Sequence, residues 1–457
     1  MKIQNAEFQR NLWLEASLHR LVAIPIILGT IFYLFSFNDN PNVAVFTWSI
    51  WIFMIITCIW GGNRTADSMV SEIQERTWTS QRLTPTNPWS MVWAKLLGSS
   101  IATWYAGAFC LLAFFIAGAQ LEPRSQTSAL ISQGLIPGAL YLIGIGILCQ
   151  VLGFIVGIGA TEERSSLGAR RAFCANIIGA IVGIIGFAIS FQRMKPNAII
   201  NWHGITFFDF YFWLFSLYAY LVWGLIGLNA HMRREFQMQN HPLIWVGFLA
   251  FIILYITGFE FVIAIEILGE KGPSFIRWIF SFFSILTLTY LTILWEKTDG
   301  ITVRRLYSLI RRGEIKKVAF EIPRWTISTV VAWILGIGLL IAFRTEFSEW
   351  EKSLGFIGDI SAILLFAMRD FAIILYFRFS AKPHRATTVA ILYLTILYGL
   401  LPLLMFSLDL EQFISLVYPI NDGNSAIPTI FPAFLEAILI WMLAIIKWKR
   451  SPHFQLY

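Results

Sequence analysis

Residues 135–160, LIPGALYLIGIGILCQVLGFIVGIGA, contain no charged side chain. A helix of this length is longer than the hydrocarbon core of a bilayer, which is about 30 Å thick and needs about 20 apolar residues to cross. In lipid a segment must satisfy its own backbone, and a helix does so within itself. Comparable runs recur at about 20–38, 43–62, 96–119, 173–191, 206–228, 243–267, 275–294, 325–343, 359–377, 389–407 and 427–446. Charged residues are 13% of the 457 positions and hydrophobic ones 57%, leaving no room for a soluble domain. The expected fold is an all-α polytopic membrane protein with about 12 transmembrane helices.

Orientation follows from the loops, because Lys and Arg gather on the cytoplasmic side. With both termini inside, 26 Lys and Arg fall on inner segments and seven on outer loops, and Arg369 lies within a span. The expected topology is therefore N-in/C-in. The net charge of +7 is spread over these loops, so nucleic acid is not an expected partner. Residues 1–20 are polar, and no small-residue cleavage site follows the first apolar run, which is expected to stay as a span. Residues 3–19 put Phe8, Leu12, Trp13 and Leu18 near one face, with Glu7, Arg10 and Glu15 elsewhere. That pattern fits either an interfacial helix or an extension of the first span. Cys58, Cys110, Cys149 and Cys174 all lie in apolar runs without paired spacing, which supports neither a disulfide framework nor a zinc site.

Two six-span halves, 1–240 and 241–457, share a pattern. Each has its longest inner segment between its second and third spans (63–95 and 295–324), and each has an outer segment able to fold back before its sixth (192–206 and 409–423). This is the layout of a parallel six-plus-six repeat, and chance agreement of loop lengths is its alternative.

The polar stretch 71–100 reads SEIQERTWTSQRLTPTNPWSMVWAKLLGSS. Upstream and within it, Ala66, Met69, Val70, Ile73 and Thr77 keep helical spacing, while Asp67, Glu72, Glu75 and Arg76 fill the other positions. Pro85 and Pro88 stop that helix. Lys95 then enters the third span, where its long stem could snorkel to the interface. These residues permit a passive hairpin. They also resemble the cytoplasmic motif of type 2 ABC exporter permeases: the family's Thr falls on Thr77, its Thr-Pro on Thr84 and Pro85, and its Lys on Lys95, while Arg76, Thr79 and Ala94 depart from the pattern. The resemblance covers about residues 1–240.

The resemblance implies a permease subunit of an ATP-driven exporter in a bacterial cytoplasmic (inner) membrane. Its coupling helix would dock an ABC ATP-binding subunit through Glu72, Glu75, Arg76, Thr77, Arg82, Thr84, Pro85 and Lys95. No GxxxxGK[ST] occurs in the chain, so no cofactor is expected here, and ATP and Mg are expected on that partner. A second inner segment, 295–325, carries Arg304, Arg305, Arg311, Arg312, Lys316 and Lys317. It could dock a second ATPase, bind anionic membrane lipids or serve only as a topology signal. Twelve spans per chain leave a monomer or a homodimer open.

Glu260, Glu266, Arg369, Asp370 and Glu436 fall inside or near spans of the second half. Intramembrane charges of this kind either pair as a structural network or line a polar path. Two other functions compete with the permease: a membrane-embedded enzyme acting on lipid-linked substrates through Arg369, Asp370 and Glu436, and a proton-coupled carrier relaying through Glu260 and Asp370. The six histidines show no metal spacing and are expected at surfaces.

Overall fold

The computed structural model describes residues 6–75, 77–83, 86–121, 134–161, 199–259, 272–296, 298–346, 350–380, 386–417 and 427–450. Among them, ten helices are long and apolar enough to cross a membrane. The protein is thus a polytopic, almost wholly helical integral membrane protein. These ten match ten of the twelve expected runs. The run at 173–191 lies outside the described residues, and that at 243–267 is described only as the shorter apolar helix Leu243–Thr257.

The chain divides into two compact units, Met1–Ile200 with Ile205–Asn240, and Asn201–Gly204 with His241–Tyr457. The first contains α1 (Ala6–Glu15), α2 (Leu18–Phe35), α3 (Pro41–Met54), α4 (Gly61–Gln74), α5 (Trp78–Arg82), α6 (Pro88–Ser99), α7 (Ile101–Ala119), α8 (Leu135–Thr161) and α9 (Asp209–Glu235). Helices α3 and α4 join through a π-helical turn, Ile55–Trp60, into one continuous span. The amphipathic helix expected from Ala66 is therefore the end of a membrane helix. Phe46, Phe53, Phe114 and Leu142 form one buried cluster of this unit, and Met69, Trp78, Val92, Phe154 and Met232 form another.

The π turn has a visible cause. Buried Gln150 of α8 donates from Nε2 to the Thr57 carbonyl at 3.2 Å and accepts from Trp104 Nε1 at 3.0 Å. Thr65 Oγ1 donates to the Gln150 main-chain carbonyl at 3.0 Å. A side chain inserted into a helical ladder in this way distorts it. Gly61 leaves the room this side chain uses: a Cβ there would lie 2.5 Å from Gln150 Nε2 and would displace it.

The segment at 192–206, expected to fold back, is described only from residue 199. There it forms a β-hairpin, β1 (Ile199–Trp202) and β2 (Ile205–Phe208), the one departure from helix among the regular elements described. His203 and Gly204, both with positive φ, make the two-residue turn that suits the twist of paired strands. The hairpin tip belongs to the second unit, where His203 N donates to the Gly258 carbonyl at 2.9 Å.

The second unit continues with α10 (Leu243–Thr257), α11 (Gly272–Trp295), α12 (Gly300–Arg311), α13 (Ile315–Glu321), α14 (Arg324–Glu346), α15 (Trp350–Arg378), α16 (Ala386–Thr395), α17 (Leu401–Ser407) and α18 (Ile427–Arg450). The later segment expected to fold back, 409–423, is described to residue 417 and contains a 3-10 turn, Glu411–Leu416. The core of this unit gathers Phe282, Leu339, Leu364, Phe371 and Ile374 around α15. The C-terminal end of α11 is closed by Arg378, which donates from Nη1 and Nη2 to the carbonyls of Glu296 and Leu294 at 2.5 and 2.9 Å, a cation meeting unpaired carbonyls.

Close helix approach in the first unit depends on Gly157, where a Cβ would stand 2.7 Å from the Ala66 carbonyl oxygen. Gly157→Ala is expected to lower stability by roughly 1–3 kcal/mol through overpacking. Gly227→Ala, at a position with open space around it, is expected to cost nothing. Thermal unfolding of the two variants in one detergent checks the difference.

Candidate functional site

The hairpin between the second and third described spans is built from local signals. Helix α4 ends where Thr77 turns back, its amide and Oγ1 both donating to the Glu72 carbonyl at 2.9 and 3.1 Å. Helix α6 begins at an Asn-Pro pair: Asn87 Oδ1 accepts from Trp89 N at 3.1 Å, and Pro88 occupies the first turn, where no amide is needed. Between them the short α5 is pinned by buried Trp78, which meets Phe236 edge-on at 5.7 Å between centroids.

Beneath the hairpin lies a charge cluster. Lys95 is 0% exposed and Glu72 5%. Lys95 Nζ donates to Glu72 and also contacts Glu7 Oε1 at 3.4 Å, while Arg10 donates to the other Glu72 oxygen and sits 3.0 Å from Glu7. Lys95 also lies 5.7 Å from the centre of the Trp78 ring. The expected snorkelling of Lys95 is thus corrected: its stem carries the ammonium inward, because two carboxylates wait there. Helix α1 is turned accordingly. Its polar residues Glu7, Asn11 and Glu15 face the protein, with Glu15 paired to Arg20 and Arg64, whereas Trp13 is 84% exposed and Leu14 also points out, as does Leu18 at the start of α2. The single apolar face expected for residues 3–19 is therefore divided, Phe8 and Leu12 lying partly buried and Trp13 and Leu18 outside.

Of the residues expected to dock a partner, Glu72 and Lys95 are consumed in this internal cluster. Glu75 is exposed, and Thr77 and Arg82 are half-buried. Arg76, Thr84 and Pro85 lie outside the described residues. The outward side of α5 carries Thr79 and Ser80, and Leu83 after it is 87% exposed.

A second polar cluster sits within the spans of the other unit. Arg369 and Asp370, adjacent on α15, are both buried. Arg369 donates from Nε to Asp370 Oδ1 at 3.2 Å, from Nη1 to Glu436 Oε2 at 2.7 Å and from Nη2 to the Tyr398 hydroxyl at 2.8 Å. Its guanidinium also lies 4.4 Å from the centre of the Phe366 ring. Tyr290 and Tyr398 each donate to Asp370 Oδ2 at 2.7 Å. The structure thus brings Arg369, Asp370 and Glu436 together, while Glu260 and Glu266 lie outside the described residues. One guanidinium faces two carboxylates, so the cluster carries either a surplus negative charge or a bound proton. The Glu436 side chain, at 37% exposure, is its open edge.

The two tyrosines were not among the expected site residues. One of them had a sequence signal. Tyr398 lies in a π turn, Ile396–Leu400, four residues before Pro402, whose ring clashes with the carbonyl at that spacing and displaces the ladder. Tyr290 had no comparable mark in an aromatic-rich span.

Among the described residues no three His, Cys, Asp or Glu side chains gather as a metal site. No family model matches the chain, and no curated protein or solved structure matches it either.

Removing one partner of a buried pair strands the other charge at a cost of about 3–5 kcal/mol. Lys95→Met is expected to lose stability on that scale, and Lys95→Met with Glu72→Met to lose distinctly less, since Arg10 and Glu7 still pair. A double-mutant cycle completed with Glu72→Met alone, read from unfolding midpoints in detergent, checks this, and a double-mutant loss equal to the sum of the two single losses would show that the pair is not coupled.

Proposed function

We propose that this chain is the permease subunit of an ATP-driven exporter, docked through its α4–α5–α6 hairpin to a separate ABC ATP-binding subunit that holds ATP and Mg. The observation that carries the reading is the buried Lys95–Glu72 pair with Arg10 and Glu7. A partner can move spans only through an element that does not flex at its base. Here the base is tied by charge to α4, α6 and α1, while Glu75, Thr79, Ser80 and Leu83 face outward. The sequence similarity of Thr77, Thr84, Pro85 and Lys95 to the family's hairpin supports the same reading. In this proposal Glu72 and Lys95 transmit force and the outward residues make the contact.

The wider proposal has twelve spans in a six-plus-six repeat, both termini cytoplasmic, and a bacterial cytoplasmic membrane. It takes its support from the loop-charge bias and from the family resemblance.

A proton-coupled carrier is the second reading, favoured by the surplus carboxylate of the Arg369–Asp370–Glu436 cluster. Transport that stops when the proton gradient is collapsed at constant ATP, and that Glu436→Gln abolishes, is the outcome expected of that carrier.

The test of the permease is co-purification of the tagged full chain from its native membrane under mild detergent. An ATPase subunit in fixed ratio is expected, lost in Leu83→Asp and in Glu75→Lys with Arg82→Glu, with unfolding midpoints unchanged. If no ATPase accompanies the wild-type chain under several mild detergents, the permease reading fails.

A further inference from the structure

The segment between α11 and α14 is absorbed by neither site. It forms two short helices, α12 and α13, joined at Gly313, whose positive φ permits a tight turn. Gly313 N donates to the Ile310 carbonyl at 3.0 Å and Glu314 N to that of Leu309 at 3.1 Å, the reverse turn in which a residue without Cβ strain is needed. Buried Leu309 faces the protein.

Both ends of this segment are tied to the mouths of spans. Gly300 follows the end of α11, Trp295, by five positions, and Glu321 precedes the start of α14, Arg324, by three. Trp448, near the end of α18, donates from Nε1 to the Gly300 carbonyl at 3.1 Å and meets the Tyr307 ring edge-on at 6.2 Å. Helices tethered this closely to span ends stay near the bilayer surface, because five extended residues reach only about 17 Å.

The exposed charges divide into two sets. Arg305 is paired with Glu321 at 2.6 Å and Lys317 with Glu314 at 2.5 Å. Arg311, Arg312 and Lys316 are exposed and have no carboxylate within ion-pair distance among the described residues. Exposed Ile310 and Ile315 stand directly beside them in the chain. Cations interleaved with outward aliphatic side chains, on short helices held at span ends, match an interface in which anionic headgroups overlie acyl chains.

We infer that α12 and α13 form a binding surface for anionic lipid headgroups in the adjoining leaflet, with Arg311, Arg312 and Lys316 meeting phosphates and Ile310 and Ile315 entering the acyl boundary. The inference is independent of the permease reading.

The test uses the full chain reconstituted in phosphatidylcholine vesicles with trace spin-labelled phosphatidylglycerol or spin-labelled phosphatidylcholine. The ratio of their association with the protein is read from the motionally restricted spectral component. The wild type is expected to prefer phosphatidylglycerol, and the preference is expected to collapse when salt is raised from about 0.1 M to about 1 M. Arg311→Gln with Arg312→Gln and Lys316→Gln is expected to reduce the preference roughly tenfold or to abolish it, since each cation adds to the attraction. Arg311→Lys with Arg312→Lys, which keeps the charge, is expected to retain it and covers the case in which the glutamine variant fails to fold. An unchanged preference in a folded glutamine variant overturns the inference. So does displacement of the labelled lipid by inorganic phosphate but not by sodium chloride of equal ionic strength, which would indicate a discrete phosphate pocket. A glutamine variant that loses a co-purifying acidic protein yet keeps its lipid preference overturns it as well.

Discussion

Water is absent from the hydrocarbon core of a bilayer, so a polar group there must find its partner within the protein. Most features of this chain follow from that constraint. Backbone groups are satisfied by winding into helices, and several polar side chains within the helices are drawn into shared sets. Gln150 serves a main-chain carbonyl, an indole and a threonine hydroxyl. Arg369 spends all three of its guanidinium nitrogens on Asp370, Glu436 and Tyr398. Lys95 reaches back to Glu72 and Glu7 instead of toward solvent.

Two of these sets also coincide with irregular backbone. The two π turns, Ile55–Trp60 and Ile396–Leu400, occur where the regular ladder has been disturbed, once by a polar side chain inserted from a neighbouring helix and once by a proline downstream. A widened turn reorients the residues it contains, and in both cases a residue of the turn joins a polar cluster: the Thr57 carbonyl meets Gln150, and the Tyr398 hydroxyl meets Arg369 and Asp370. Irregular backbone and buried polarity are two aspects of one arrangement here.

The spans were legible because length and apolarity are summed over about 20 residues and tolerate local exceptions. The caps around the hairpin were not legible in the same way: Pro88 is expected to stop a helix, whereas with Asn87 as its cap it starts α6. Side-chain direction was not legible either. An apolar period in residues 3–19 suggested one face, but which side turns to lipid and which to protein depends on Glu72 and Lys95, which lie far along the sequence. The orientation of Lys95 was misjudged for the same reason: a lysine at a span end has a cheap route to the interface unless carboxylates offer a better one. Pairing of Arg369 with a carboxylate could be anticipated from charge alone, whereas the share taken by Tyr290 required three-dimensional proximity among many similar aromatic residues.

The division of α1, with Trp13 and Leu14 outward and Glu7 and Asn11 inward, bears on how the chain is assembled during synthesis. Glu7 and Lys95 are 88 positions apart, so at ordinary elongation rates the lysine emerges on the order of 10 s after the glutamate. Throughout that interval α1 has no completed polar seat. Its outward tryptophan and leucine can hold it on the membrane surface while it waits. When the third described span arrives, Lys95 enters beside a Glu72 that is already present. Helix α1 is thus locked only once Lys95 has followed it, and its apolar side works as a mooring before its charged side becomes a joint.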